Sequence, residues 1–265
     1  MGLVNAMEQK IIYYSDELND EFAGDNIVAK PIDEKYKYLH KNPLKVISKF
    51  FWYRIVATPI AYLYMKCALK HKIINKKILK PYKKQGYFVY GNHTHNMADA
   101  FNPSMVVFPK DAYLIVHPNN VSIKVIGKIT PSLGAIPLPG NAKAMKNFNK
   151  CIEKRIKQKH VVFIYPEAHI WPFYTKIRPF TNMSFSYPIS YNVPTFAMTN
   201  VYKKRNNGKP KMVTYVDGPF FADEGLSMKD ARQNLRDKVY NQMVLRSKEN
   251  DIEYIKYIYK EKEND

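Results

Sequence analysis

From residue 86 onward the chain alternates short apolar runs with stretches of helical periodicity, and that alternation limits what it can fold into. Residues 87–90, 112–116, 135–138, 161–165, 194–199 and 211–216 are largely apolar, are bounded by Gly, Pro and Asn, and read as strands. Between two of them Met145, Phe148, Ile152 and Ile156 recur at helical spacing. A last helix is expected near Ser227, which stands at the capping distance from Asp230 and precedes the stripe Met228, Ala231, Leu235 and Val239. Strands alternating with helices predict an α/β fold, with a mixed central sheet flanked by helices, over residues 85–265.

Two further regions precede this domain. Residues 1–41 carry mixed charge and several tyrosines with little periodicity, and read as an N-terminal extension that packs on the domain or trails from it. Residues 42–84 read as an amphipathic, basic, membrane-associating helical segment. The uncharged run of eleven residues from Ile55 to Met65 is far shorter than the roughly 20 needed to cross a bilayer. Its Trp52, flanking tyrosines and cationic edges suit an interfacial helix, which Pro59 would kink or divide. Lys66 to Lys84 then supply eight lysines and no acid, the composition of a segment lying against an anionic leaflet.

Forty-two Lys and Arg against 23 Asp and Glu give a net charge of +19, which attracts phosphates in lipid, nucleic acid or CoA. The basic run is all Lys, and no helix-turn-helix, zinc or aromatic-platform pattern accompanies it, so a nucleic-acid partner is not expected. The two cysteines, Cys67 and Cys151, have no metal-binding or redox spacing and fit a reducing cytosol. Asp16, Glu17, Asp20 and Glu21 interrupt any secretory pattern, and Ala6 breaks the myristoylation pattern that Gly2 begins. The expected location is the cytoplasmic face of the cell membrane, as a peripheral or monotopic protein.

Chemistry concentrates at two strand ends. Tyr90-Gly91-Asn92-His93-Thr94-His95-Asn96-Met97-Ala98-Asp99 follows the first strand of the domain, where α/β folds place reactive groups. A His followed after a short loop by an Asp can form a dyad, in which the carboxylate fixes the imidazole tautomer and the free nitrogen accepts a proton. Val161 to Tyr165 similarly run into Pro166-Glu167-Ala168-His169. A carboxylate at such a strand end must accept hydrogen bonds if buried, from backbone or substrate. Between these lie Gly134 to Gly140, and after them Trp171 to Phe180, with Lys176 and Arg178 as cations for a phosphate.

In this order the segments resemble the glycerolipid acyltransferase family, which includes bacterial 1-acylglycerol-3-phosphate acyltransferases. The resemblance spans about residues 86–240. It rests on Asn92-His93 with Asp99, Gly134 to Pro139, Tyr165-Pro166-Glu167, Val193-Pro194-Thr195 and Asp217-Gly218-Pro219. Two departures stand out. Five residues separate His93 from Asp99 where the family has four, and His95 leaves three; His93 is taken as the family's histidine because it follows Asn92. The arginines usual in the second and third blocks are missing.

The resemblance implies acyl transfer from an acyl thioester, carried by CoA or acyl carrier protein, to the hydroxyl of a lysophospholipid. His93 is the expected general base, Asp99 its support, and Glu167, Lys176, Arg178 and Gly134 the substrate-binding positions; no cofactor and no metal is implied. An acyl groove is expected near residues 43–69. Two other readings compete: a metal-dependent hydrolase using His93-x-His95, whose side chains would fall on one side of an extended backbone, and a catalytically silent membrane-binding protein.

Overall fold

A computed structural model describes residues 9–24, 27–39 and 42–261; Gly2 and Ala6 lie outside them. The strands are β1 Lys10–Tyr14, β2 Lys72–Ile74, β3 Tyr87–Gly91, β4 Ala112–Val116, β5 Ala135–Pro137, β6 Val161–Ile164, β7 Thr195–Lys204, β8 Pro210–Phe220 and β9 Ile255–Tyr259. The helices are α1 Pro43–Phe50, α2 Thr58–Cys67, α3 Asn96–Val107, α4 Ala142–Lys157, α5 Ser186–Ser190 and α6 Met228–Ser247. Seven strands form one mixed sheet in the order β2-β8-β7-β3-β6-β4-β5, in which every neighbouring pair is parallel except the β7–β8 hairpin. The fold is α/β, with helices on both faces.

Side-chain alternation along β3 explains why the strands read as continuous apolar runs. Phe88 and Tyr90 pack with Val162 and Ile164 of β6 against Phe148 and Ile152 of α4 and Leu235 and Val239 of α6. Tyr87 and Val89 pack on the other face with Phe163, Phe196 and Val106. Both faces of the sheet are therefore dry, and neither set of positions tolerates polarity.

The segment 42–84 is not a separate unit. Its helical part opens with Asn42, whose side chain accepts the Leu44 N–H, and Pro43 follows at the first turn, where its missing N–H costs nothing. Around Phe51–Ala57 the helix widens to a π-helix, and the Thr58 N–H and hydroxyl both reach the Tyr53 carbonyl. Pro59 follows directly and has no N–H to donate, so the irregularity expected from it appears as this wider turn. On the inner side Tyr53, Ala61, Met65 and Leu69 are buried, and Met65 and Leu69 join Ala98, Met105 and Tyr202 in one cluster. Asp111, at the start of β4, accepts Lys49 Nζ at 2.6 Å and Arg54 Nη2 at 2.5 Å.

The outer side of the same helices is apolar as well. Leu44, Ile47, Phe51 and Ile55 recur three and four residues apart and are all exposed, as are Ile60 and Leu63 further on. Among the described residues no helix is long and apolar enough to cross a membrane. The lysine-rich continuation then becomes β2, an edge strand paired to β8 through Lys72↔Val213 and Ile74↔Tyr215, followed by a 3-10 helix Lys76–Tyr82. Lys66 Nζ donates to the His71 carbonyl and Lys76 Nζ to that of Met105. Part of the basic run thus ties down backbone, while Lys70, Lys72, Lys77, Lys80, Lys83 and Lys84 remain exposed.

The N-terminal extension is also built in. β1 pairs in parallel with β9, so the two ends of the chain form a second, two-stranded sheet. Local pattern gave no sign of this pairing, because both partners are short and each lacks meaning without the other. Around it Tyr14, Phe22 and Tyr257 crowd the fully buried Trp171, whose Nε1 donates to the Asp20 carbonyl.

Because Met65 is fully buried, Met65→Ala should lower unfolding free energy by about 2–5 kcal/mol in urea titration. A change near zero would mean that the helix rests on the domain without sharing its core.

Candidate active site

The site grows from the C-terminal end of β3. After Gly91 the side chain of Asn92 continues the ladder that the backbone abandons: its Nδ2 donates to the Asn200 carbonyl at 2.9 Å, and its Oδ1 accepts the Asn200 N–H at 2.8 Å. The main chain can then leave the sheet at His93 without orphaning β7. Gly91 is required beneath, since a Cβ there would lie 2.8 Å from the Tyr165 ring. That ring stacks flat on His93, with centroids 4.4 Å apart and planes 6° from parallel.

Asp99 organises the loop. It is 1% exposed and sits in the first turn of α3. Its Oδ2 accepts His93 Nδ1, the Thr94 N–H and the His95 N–H, each at 2.8 Å. Its Oδ1 accepts Asn200 Nδ2 at 3.2 Å. A carboxylate facing His93 Nδ1 accepts a hydrogen bond from it, which keeps the ring proton on Nδ1 and leaves the lone pair on Nε2. Nε2 has no protein partner among the described residues, and the His93 side chain is 17% exposed. The arrangement can accept a proton from a bound hydroxyl and hold the resulting imidazolium.

Between His93 and Asp99 the chain leaves the strand and enters α3. His95 is the N-cap of α3, and its Nδ1 accepts the Ala98 N–H at 3.3 Å. Its ring sits edge-on to Phe173, and burial lowers its pKa. The two histidines therefore have different employment: one is paired to Asp99, the other caps a helix.

Glu167 lies under the same loop. It is buried, with Oε2 accepting the His93 N–H at 3.0 Å and Oε1 accepting the Arg178 N–H at 3.2 Å. Burial raises its pKa, against the pull of the Arg178 guanidinium 3.7 Å away and of the N–H groups it accepts. Trp171 N–H donates to the His93 carbonyl and Phe173 N–H to that of Thr94, so the loop after β6 grips the loop after β3. Ala168 adopts φ 64°, a conformation that disfavours side chains.

Arg178 corrects an expectation. Its guanidinium is turned inward over Trp171 and donates to the carbonyls of Glu17, Glu167 and His169. A group so enclosed braces the loop and presents no cation to a phosphate. Lys176, two residues earlier, is exposed and keeps that option. Gly134 is also placed differently from a substrate contact. It ends the 3-10 turn Thr130–Leu133 at φ 97°, where a Cβ would sit 2.4 Å from the Ala112 carbonyl. It precedes β5, whereas His93 follows β3, a strand pointing the same way; Gly134 therefore lies toward the opposite end of the sheet and serves the turn.

Sequence reading missed a buried polar chain behind Asp99. Asn200 Oδ1 accepts Asn102 Nδ2 at 2.8 Å and the Thr214 hydroxyl at 2.7 Å, which turns Asn200 Nδ2 toward Asp99. With its proton given to Asn200, Thr214 Oγ1 must accept at 2.8 Å from His71 Nε2. A clue was available: Asn200 stands between the apolar pairs Ala197-Met198 and Val201-Tyr202, and a buried asparagine needs partners.

No protein-family model matches the chain, and no curated protein matches it in sequence. Among solved structures it is similar to PlsC, the 1-acyl-sn-glycerophosphate (LPA) acyltransferase of Thermotoga maritima. The two are 17% identical, the match covers 79% of this chain and 85% of that one, and the TM-score is 0.49. No residue role is taken from that likeness.

Two outcomes are expected from this geometry. Glu167→Gln should destabilise by about 3–5 kcal/mol in denaturant, because it leaves Arg178 buried without its counter-charge; a neutral result would show that the pair does not hold the loop. His71, pushed down to about 4 by burial and next by Lys66, titrates first in the unfolded chain, whose histidine has the ordinary value near 6.5. Its stabilising contribution is therefore complete above that value and is lost as pH falls toward 4, at up to about 1.4 kcal/mol per pH unit. His160, also pushed down to about 4, adds a parallel slope. His95, whose pKa burial also lowers, contributes to the same slope, so His71→Gln should reduce the acid slope of stability by up to about 1.4 kcal/mol per pH unit, and an unchanged slope would remove His71 from the account.

Proposed function

We propose that this protein is an acyltransferase that moves a fatty acyl group from an acyl thioester to the hydroxyl of a lysophospholipid-type acceptor. The observation that carries the reading is the His93–Asp99 pair, 2.8 Å apart, with the second imidazole nitrogen free of protein partners among the described residues. The sequence blocks around it support the same reaction class. His93 Nε2 takes the proton of the acceptor hydroxyl as its oxygen bonds to the thioester carbonyl carbon. The tetrahedral intermediate then expels the thiolate, which recovers the proton from the imidazolium. No covalent enzyme intermediate is needed, and Asp99 holds the ring and its transient charge.

Two features suit lipid substrates. An apolar cavity of about 150 Å³ lies under the N-terminal helices, between Tyr53, Ala57 and Ala61 on one side and Phe101, Leu114 and Leu133 on others. It offers a place for acyl chain where the sequence led one to expect a groove. The exposed apolar ridge of α1 and the following turns, with the excess of lysine, suits peripheral docking on an anionic membrane. CoA or acyl carrier protein would deliver the acyl group, and Lys176 is the exposed cation offered to an acceptor phosphate. The hydrolase alternative needs both imidazoles on one metal, yet His95 Nδ1 caps α3, and among the described residues no three His, Cys, Asp or Glu side chains are grouped to hold an ion.

Labelled acyl-CoA and acyl carrier protein, each incubated with a panel of lysophospholipids, should yield a diacyl product. His93→Ala should reduce the rate by about 10²–10⁴-fold, and His95→Ala far less. Equal loss at both histidines together with loss of stoichiometric metal would point instead to the hydrolase, and no product from any pairing would leave the membrane-binding reading.

A further inference from the structure

The connection between β4 and β5 carries an exposed apolar tip that the proposed reaction does not use. Val125 adopts φ 65° and ψ −65°, and the Ile126 N–H donates back to the Lys124 carbonyl at 2.8 Å. This is a γ-turn of the rare positive-φ kind, strained for any residue and more so for a β-branched one. Strain of this sort persists only where the surroundings impose it. The base of the connection is indeed braced: Ser122 Oγ donates to the Pro118 carbonyl, Thr130 Oγ1 to that of Gly127, and the Lys30 N–H to Ser122 Oγ. What the brace holds outward is apolar, with Val125 74% and Ile126 56% exposed. Exposed Lys124 and Lys128 flank them.

This tip is not isolated from the ridge on the N-terminal helices. The turn Thr130–Leu133 packs against α1, against the π-helical turn and against the turn Ile126–Lys128. The two walls also share a cavity: Ala57 and Ala61 line it from the helices, and Asn120, Thr130 and Leu133 from the β4–β5 connection. One wall bears the exposed stripe Leu44, Ile47, Phe51 and Ile55; the other bears Val125 and Ile126.

We infer that the Lys124–Lys128 tip is a second membrane-inserting contact, which enters an anionic phospholipid bilayer beside the N-terminal helices and seats both walls of the apolar cavity at the lipid surface. Two apolar side chains between two lysines match that occupant: the first pair enters the acyl boundary and the second stays with the headgroups. Two separated contacts fix an orientation that one helix, free to roll about its axis, does not. An acyl chain could then pass between bilayer and cavity without crossing water. The inference rests on the membrane docking proposed above and adds to it where the protein touches the bilayer.

Tryptophan fluorescence separates the two. The chain has two tryptophans: Trp52 on the docking helices and Trp171, fully buried, whose emission also reports the fold. With vesicles of phosphatidylcholine and phosphatidylglycerol brominated along the acyl chains, Trp52 in the unaltered protein should be quenched. A Val125→Trp substitution in a Trp52→Phe background should be quenched as well, and Val125→Asp with Ile126→Asp should weaken vesicle affinity by about tenfold or more. Quenching at Trp52 with none at position 125, or an undiminished affinity in the Asp variant, overturns the second contact and leaves helix docking intact. Quenching at neither position overturns both.

Discussion

The Asp99 carboxylate is the point on which the site depends. It is buried at the junction of a strand end, a helix start and a neighbouring strand, and it gathers donors from all three: His93, Thr94 and His95 from the loop, Asn200 from β7. A buried acceptor is tolerable only when so satisfied, and each donor that satisfies it is also held in place by it. The same contact that makes burial possible therefore fixes the tautomer and direction of His93.

Around that point the structure adds constraint in layers. Tyr165 holds the imidazole from one face and donates its hydroxyl to the Asp99 carbonyl, while Glu167 holds the His93 backbone from below. Arg178 and Trp171 tie the Glu167 loop to the N-terminal extension, through carbonyls of Glu17 and Asp20. The β1–β9 pair closes over them. An extension without local pattern thus becomes a brace for the loop after β6, and a buried arginine is consumed in holding the loop that carries Glu167.

The N-terminal helices join two roles that usually compete. Their inner face is part of the core through Met65 and Leu69, and their outer face leaves Leu44, Phe51 and Ile55 in the open. Apolar side chains on two sides of a helical segment call for cover on both. The domain covers one side, and an anionic membrane is the cover proposed for the other.

What the sequence determined by itself was whatever is encoded within a few residues. The apolar runs at 87–90, 112–116 and 161–165 fell on strands, Ser227 capped α6, and Asn92, His93, Asp99 and Glu167 were visible as a set because they sit at two strand ends. Pattern cannot report partners distant in the chain. That Asn200 reaches Asp99 across 101 positions, that Lys10–Tyr14 pairs with Ile255–Tyr259, and that the lysine-rich stretch contributes edge strand β2 were decided only when the sheet assembled. The same holds for the direction in which a charge points. Arg178 and Lys176 look alike in sequence, two cations in one loop; burial against Glu167 and Trp171 turns the first inward, and only tertiary packing decides which side of a loop meets water.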